Sequence, residues 1–262
     1  MMGRIIRIDW NDASVEPIIR DMTLLFLLLG LGAGALTTLA GQGGGLLLLL
    51  ACSAVLGPHE ALAITAPALL LGNLHRTLLF RAHIDRGVAA RMIAGALPGA
   101  LAGGLLAGVT PAWALQGLLV FMTAVAIAKA LGLLRFQVPR NALIPAGLVV
   151  GAMTGTSGGA GVLFAPVLLS VGLSGKAFVA TTSVVAVAAH VGRVAGYAGL
   201  GLFSRELIGP TIAVSAAIFL GNALGGRLHG LITADGAKPG RVVAIEYGTL
   251  VVCVALSVAG LG

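Results

Sequence analysis

The sequence predicts an all-α, polytopic membrane protein built from two homologous repeats, each a glycine-broken helical hairpin followed by about three transmembrane helices. Three observations predict it. The chain is 58% hydrophobic and 10% charged, with a mean hydropathy of +1.05, whereas soluble domains carry about 25% charged residues. Apolar runs of roughly the 20 residues that cross a bilayer follow one another with only short polar interruptions. Two of these runs, Met22–Leu56 and Ile144–Val171, are interrupted by glycine clusters.

In chain order, Met1–Asp21 is polar, with four acids among three arginines. It lacks the basic n-region of a signal peptide and reads as an N-terminal tail or surface helix. Met22–Ala40 is nearly a span. Gly41-Gln42-Gly43-Gly44-Gly45 breaks it, and Leu46–Leu56 is too short to cross before Gly57-Pro58 stops it. Glu60–Phe80, Val88–Ala107 and Trp113–Leu134 are spans, with Trp113 as an interfacial anchor. The pattern then restarts. Ala142–Thr154 leads into Gly155-Thr156-Ser157-Gly158-Gly159-Ala160-Gly161, and Val162–Val171 is a half-helix. Ala177–Leu200, Leu207–Leu228 and Val242–Leu261 are spans, with a polar segment, His229–Arg241, before the last. The expected division is a tail over residues 1–21, a first repeat over 22–140 and a second over 141–262.

The composition excludes other classes. No polar stretch is long enough for a separate soluble domain. The net charge is +7, but the basic residues are scattered singly between apolar spans, which argues against nucleic acid as a partner. Cys52 and Cys253 lie in apolar segments and form neither a disulfide framework nor a metal site, so no cofactor is expected. The 40 glycines suit close helix packing in lipid.

The halves align. Gly43 and Gly57 match Gly158 and Gly172 at an offset of 115; Thr65 and Arg76 match Thr182 and Arg193 at 117; Gly99 and Gly103 match Gly221 and Gly225 at 122. A slowly drifting offset is the mark of a diverged duplication. Paired interruptions in corresponding places of two halves point to a transporter's binding site, because broken backbone survives at membrane depth only when buried or lining a cavity.

These motifs give the chain its resemblance to a known family. The first copy reads Gly41-Gln42-Gly43-Gly44-Gly45, Gly57-Pro58, Ile64-Thr65-Ala66. The second reads Gly155–Gly161, Pro166, Gly172, Ala180-Thr181-Thr182-Ser183. From about Leu24 onward the chain resembles the sulfite exporter TauE/SafE family of bacterial membrane proteins. The first copy lacks the proline of the apolar run and has Pro67 where a serine is common; the second has Ala160 within its glycine run. The resemblance implies export of sulfite or organic sulfonates across the bacterial inner membrane through two inverted repeats. The partners it implies are a small anion and the bilayer, and it leaves room for a homodimer.

Candidate binding residues follow from the alignment. A half-helix starting after a break points unpaired N–H groups and a positive dipole end into the cavity, which nominates Gly43, Gly44, Gly45, Gly158 and Gly159. The competing reading is that these glycines only permit tight helix crossings. Arg76 and Arg193, each eleven residues after a threonine, are charges inside apolar spans. Arg76 is close enough to Phe80 to snorkel, whereas Arg193 lies deeper. Thr65, Ser157, Thr182 and Ser183 can donate to an oxyanion or bond their own helix backbone. His75 and His190 are candidates for proton coupling or for simple packing hydrogen bonds. An enzymatic alternative also exists. Gly155-Thr156-Ser157-Gly158 with His190 resembles a rhomboid-type serine protease dyad, although only 33 residues separate the pair. A passive anion channel would use the same site as an exporter. Ten basic residues fall on one side and four on the other whether the repeats are inverted or parallel, so the positive-inside bias does not choose between them.

Overall fold

The computed structural model describes residues 16–40, 43–133, 137–234, 248, 251–253 and 255, and among them all regular structure is helical. The first half holds α1 (Glu16–Ala40), α2 (Gly44–Leu56), α3 (Pro58–Phe80), α4 (Arg86–Val109) and α5 (Ala112–Ala130). After a turn at Arg140–Ala142 come α6 (Leu143–Ser157), α7 (Phe164–Ser170), α8 (Gly175–Gly199) and α9 (Ile208–Ala234). Four helical stretches, Pro58–His83, Arg86–Val109, Gly175–Gly199 and Arg205–Leu228, are long and apolar enough to cross a membrane. Their outward faces carry exposed apolar side chains, including Leu78, Val109, Ile212 and Leu220, as a lipid-facing surface requires.

The ends of the elements follow local chemistry. Asp85 caps α4 by accepting a hydrogen bond from the Val88 amide at 3.0 Å. Pro58 opens α3, where its missing N–H would have had no partner anyway. The glycine breaks are turns that demand left-handed backbone. Gly43 has φ 95° and Gly158 has φ 68°, values that cost a residue with a Cβ about 1–2 kcal/mol. The glycines matched further on, Gly57 and Gly172, also share positive φ, at 95° and 90°.

Several boundaries differ from expectation. α6 runs on through Gly155, Thr156 and Ser157 of the expected break, and α5 ends at Ala130, short of Leu134. α1 begins at Glu16, so the last residues of the expected tail are helical; residues 1–15 lie outside the described residues. α9 continues to Ala234, past the expected start of a polar loop at His229, because adding residues to an existing helix is much easier than nucleating one. The expected half-helix Val162–Val171 is a 3-10 turn, Ala160–Leu163, followed by the short α7. Gly41, Gln42 and most of Val242–Leu261 lie outside the described residues.

Packing pairs each half with the other: α1 lies most closely against α9, and α6 against α4. Small residues form both seams. A Cβ on Gly99 would stand 2.2 Å from the Leu148 carbonyl oxygen, and one on Gly221 would stand 2.2 Å from that of Leu31. Such backbone-to-backbone approach is how helices associate in lipid.

The order of these contacts gives the helix directions. Gly95, Gly99 and Gly103 meet Ile144, Leu148 and Ala152 in rising order, so α4 and α6 run parallel. Gly30 and Gly34 meet Val214 and Ile218, so α1 and α9 run parallel. Gly192 and Gly196 meet Leu97 and Leu101, so α8 runs with α4. The stretch 200–207 turns the chain back between α8 and α9. α1 and α9 therefore run against α4, α6 and α8. Arg81, Arg86, Arg91, Arg140, Lys176 and Arg227 consequently share one end of the bundle, and Arg205 lies at the other.

Candidate functional site

The two glycine breaks meet at one cavity of about 80 Å³. Gly43, Gly45 and Leu46 form one wall, and Gly158, Gly159, Gly161 and Val162 another. α3 contributes Asn73 and Arg76, α8 contributes Thr182 and His190, and α9 contributes Asn222. Gly44 opens α2 with no side-chain cap, so the first amides of this thirteen-residue helix lack intrahelical partners next to the cavity. The second break does not repeat this. Gly158 terminates α6, its amide donating to the Thr154 carbonyl at 2.8 Å, and the chain continues as a 3-10 turn.

Arg76 is 6% exposed and faces this cavity. Its Nη1 donates to the Thr37 carbonyl of α1 at 3.2 Å, its Nη2 donates to Asn73 Oδ1, and its Nε has no partner. Asn73 is itself fixed, donating from Nδ2 to the Leu69 carbonyl at 2.8 Å. Asn222 ties the same corner together: Nδ2 donates to the Gly72 carbonyl at 3.1 Å and Oδ1 accepts from Thr38 at 3.0 Å. Thr182 Oγ1 and His190 Nδ1 are buried atoms without partners.

Arg193 is fully buried and does not line the cavity. Its Nε donates to the Tyr197 hydroxyl at 2.8 Å, and that hydroxyl donates to the Gly155 carbonyl at 2.7 Å. Its Nη2 donates to the Leu62 carbonyl at 3.1 Å and to Thr65 Oγ1 at 3.0 Å, while Nη1 is unpartnered. It lies directly behind the cavity wall, since a Cβ on Gly158 would meet Arg193 Nη2 at 2.7 Å. Every partner of both guanidiniums is neutral. No carboxylate lines the cavity among the described residues. Arg76 therefore presents a positive charge that the protein leaves uncompensated, which favours an anion there.

The structure thus brings together Gly43, Gly45, Arg76, Gly158, Gly159, Thr182 and His190 around one space. The other candidates lie elsewhere. Gly44 packs against α1, where a Cβ would stand 2.2 Å from Thr37 Oγ1. Thr65 donates to the Ala61 carbonyl at 2.7 Å and accepts from Arg193. Ser183 donates to the Val179 carbonyl at 2.8 Å. His75 stacks on Phe219, ring centroids 4.1 Å apart. Ser157 Oγ donates to the Met153 carbonyl at 2.7 Å and accepts from the Gly159 amide, so no hydrogen bond joins it to His190. Asn73, Asn222 and Tyr197 were not anticipated. Lone amides and a phenol inside apolar spans are the signal for them, and Asn73 matches His190 at the offset of 117 that relates the arginines.

A family model described as sulfite exporter TauE/SafE matches residues 26–258, most of the chain. The chain belongs to that family. TauE/SafE proteins are membrane transporters of sulfite-type anions, and the several apolar helices make this member a multi-pass membrane protein. Comparison with curated proteins and with solved structures returned no match for this TauE/SafE chain.

Proposed function

We propose that this chain exports a small sulfur oxyanion, sulfite or a short organic sulfonate, across the bacterial inner membrane, and that the anion binds between the two glycine breaks against Arg76. The observation that carries this reading is Arg76 itself: buried, lining the cavity, with Nε free and no acidic partner. A guanidinium stays ionised when buried and presents a rigid fork suited to oxyanion oxygens. Thr182 Oγ1 and the amides at the start of α2 supply further donors. The cavity's volume of about 80 Å³ suits a compact anion better than a long-chain sulfonate.

The two halves act as inverted repeats in this reading. The opposed directions of α1 and α6, the matched positive φ of Gly43 and Gly158, and the matched seams of Gly99 and Gly221 support it. The end that gathers Arg81, Arg86, Arg91, Arg140, Lys176 and Arg227 is cytoplasmic by the positive-inside rule, which puts the N-terminus and the Ser204 loop in the periplasm. A reporter fused at Ser14 is expected to read periplasmic.

The test is flux in proteoliposomes with sulfite, sulfonates and thiosulfate, with and without a pH gradient. Sulfite or sulfonate efflux that falls at least about tenfold in Arg76→Gln and partly survives in Arg76→Lys is expected. Wild-type flux in Arg76→Gln at equal protein level would refute the assignment. Flux indifferent to the pH gradient would favour a passive anion path through the same site, with His190 a packing residue.

A further inference from the structure

The two threonine–arginine pairs of the halves are in opposite conditions. Arg193 of α8 reaches across to α3 and donates to Thr65 Oγ1 at 3.0 Å. The same relation in the other half would join Arg76 of α3 to Thr182 of α8. That bond is absent: Arg76 Nε and Thr182 Oγ1 both lack partners, and the two residues line the cavity. The cavity therefore occupies the place where the second pair has come apart. The pairs also lie toward opposite ends of the bundle. Thr65 is in the early turns of α3 and Arg193 in the late turns of α8, toward the end bearing Arg205; Arg76 and Thr182 lie toward the end bearing Arg81 and Arg86.

We propose that Arg193 and Thr65 form a second position for the same small oxyanion, closed in this structure by their own hydrogen bond, and that the transporter opens the two positions alternately to opposite faces of the membrane. This rests on the reading of the cavity as an oxyanion site. Two observations besides the alignment carry it. Arg193 is buried with Nη1 unpartnered, so the closed pair leaves its charge and one nitrogen unused. Its remaining contacts are few and separable: the Leu62 carbonyl on one side, and on the other the Tyr197 hydroxyl, which bridges to the Gly155 carbonyl next to the second glycine break. Tyr197 is thus the clasp of the closed pair. The residue four positions after Arg76 is Phe80, which has no hydroxyl to do the same. Inverted repeats make such an exchange natural, since each half can adopt the conformation the other holds. In the state described here, the Arg76 position faces the basic, cytoplasmic end, and the Arg193 pair seals the other.

The experiment is thiol labelling with a membrane-impermeant methanethiosulfonate, applied to inside-out and right-side-out vesicles without sulfite. The background replaces Cys52 and Cys253 with alanine. Thr182→Cys is expected to react from the cytoplasmic face. Thr65→Cys, at a position with no exposure in this state, is expected to react slowly and only from the periplasmic face. Adding Tyr197→Phe is expected to raise the Thr65→Cys rate by up to roughly threefold to tenfold and to lower the Thr182→Cys rate by a smaller factor, because one lost hydrogen bond shifts the equilibrium constant by about that much and the two rate changes multiply to it. If Thr65→Cys does not accumulate, Ala61→Cys, one turn earlier on the same face, is read instead. Both thiols reacting from one face, or no reaction at Thr65→Cys and Ala61→Cys even with Tyr197→Phe, would overturn the proposal. Reciprocal labelling in a protein that moves no sulfite would uphold the alternation and refute only the substrate.

Discussion

Arg76 and Arg193 each follow a threonine by eleven residues in the two halves, yet their surroundings differ. Arg193 donates to a phenol, a hydroxyl and a carbonyl, with Nη1 unpartnered, and braces α8 against α3 and, through Tyr197, against α6. Arg76 is held by Asn73 and the Thr37 carbonyl, and lines the cavity with its Nε unpartnered. Both guanidiniums keep one unpartnered nitrogen, Nε in Arg76 and Nη1 in Arg193, but only Arg76 lines the cavity. A matching sequence position does not ensure a place on the cavity: Tyr197, four residues after Arg193, ties that guanidinium to the Gly155 carbonyl, and the corresponding residue after Arg76 is Phe80.

The sharpest way to break the comparison is at the glycines that make both halves turn. Gly158→Leu is expected to abolish flux, because a side chain there needs φ near 68° and meets Arg193 Nη2. Gly43→Leu, at φ 95°, is expected to do the same. Retained flux in either variant would show that the break is not part of the path.

Next come the arginines. Arg76→Gln is expected to weaken sulfite affinity about ten- to a hundredfold at near-normal thermal stability, since a charge-assisted hydrogen bond is worth about 1.5–3 kcal/mol. Arg193→Gln is expected to show the reverse emphasis, a lowered melting temperature and poor yield, because it unties Tyr197, Thr65 and the Leu62 carbonyl at once. Fluorescence-detected unfolding beside binding titrations separates the two outcomes.

The threonines should follow their arginines with smaller effects. Thr182→Val, which removes a hydroxyl that has no protein partner, is expected to reduce affinity up to about tenfold and leave stability intact. Thr65→Val is expected to cost about 1–3 kcal/mol of stability, because Arg193 Nη2 loses one of its two acceptors in a buried place. The smallest effect is expected from Ser157→Ala. Its hydroxyl bonds its own helix at Met153, so flux should change less than about twofold. Hydrolysis of a transmembrane peptide that disappears in Ser157→Ala would instead revive the protease alternative.

Much of this organisation was legible in the sequence for physical reasons. Hydropathy marked the spans because lipid tolerates few charges, and the clusters around Gly43 and Gly158 marked turns because left-handed backbone all but requires glycine. The matching positions of Arg76 and Arg193, each eleven residues after a threonine, were legible in the sequence. Which arginine faces the cavity was not, because it depends on tertiary contacts such as the link from Arg193 through Tyr197 to the Gly155 carbonyl. The sequence also favoured Arg193 for its depth, whereas depth here places it behind the cavity wall rather than on it. Asn73 and Asn222 escaped notice because an amide in an apolar run carries no charge to mark it. Helix continuation through His229 and the 3-10 turn after Gly159 depend on packing and on hydrogen-bond continuity, which local composition does not report.

The most direct measurement is calorimetric titration of sulfite into the purified wild-type protein, Arg76→Gln and Arg193→Lys, all shown to be folded. Binding that weakens at least about tenfold in Arg76→Gln and by a smaller factor in Arg193→Lys, whose guanidinium does not line the cavity, is the predicted result. Unchanged sulfite binding in Arg76→Gln would contradict it.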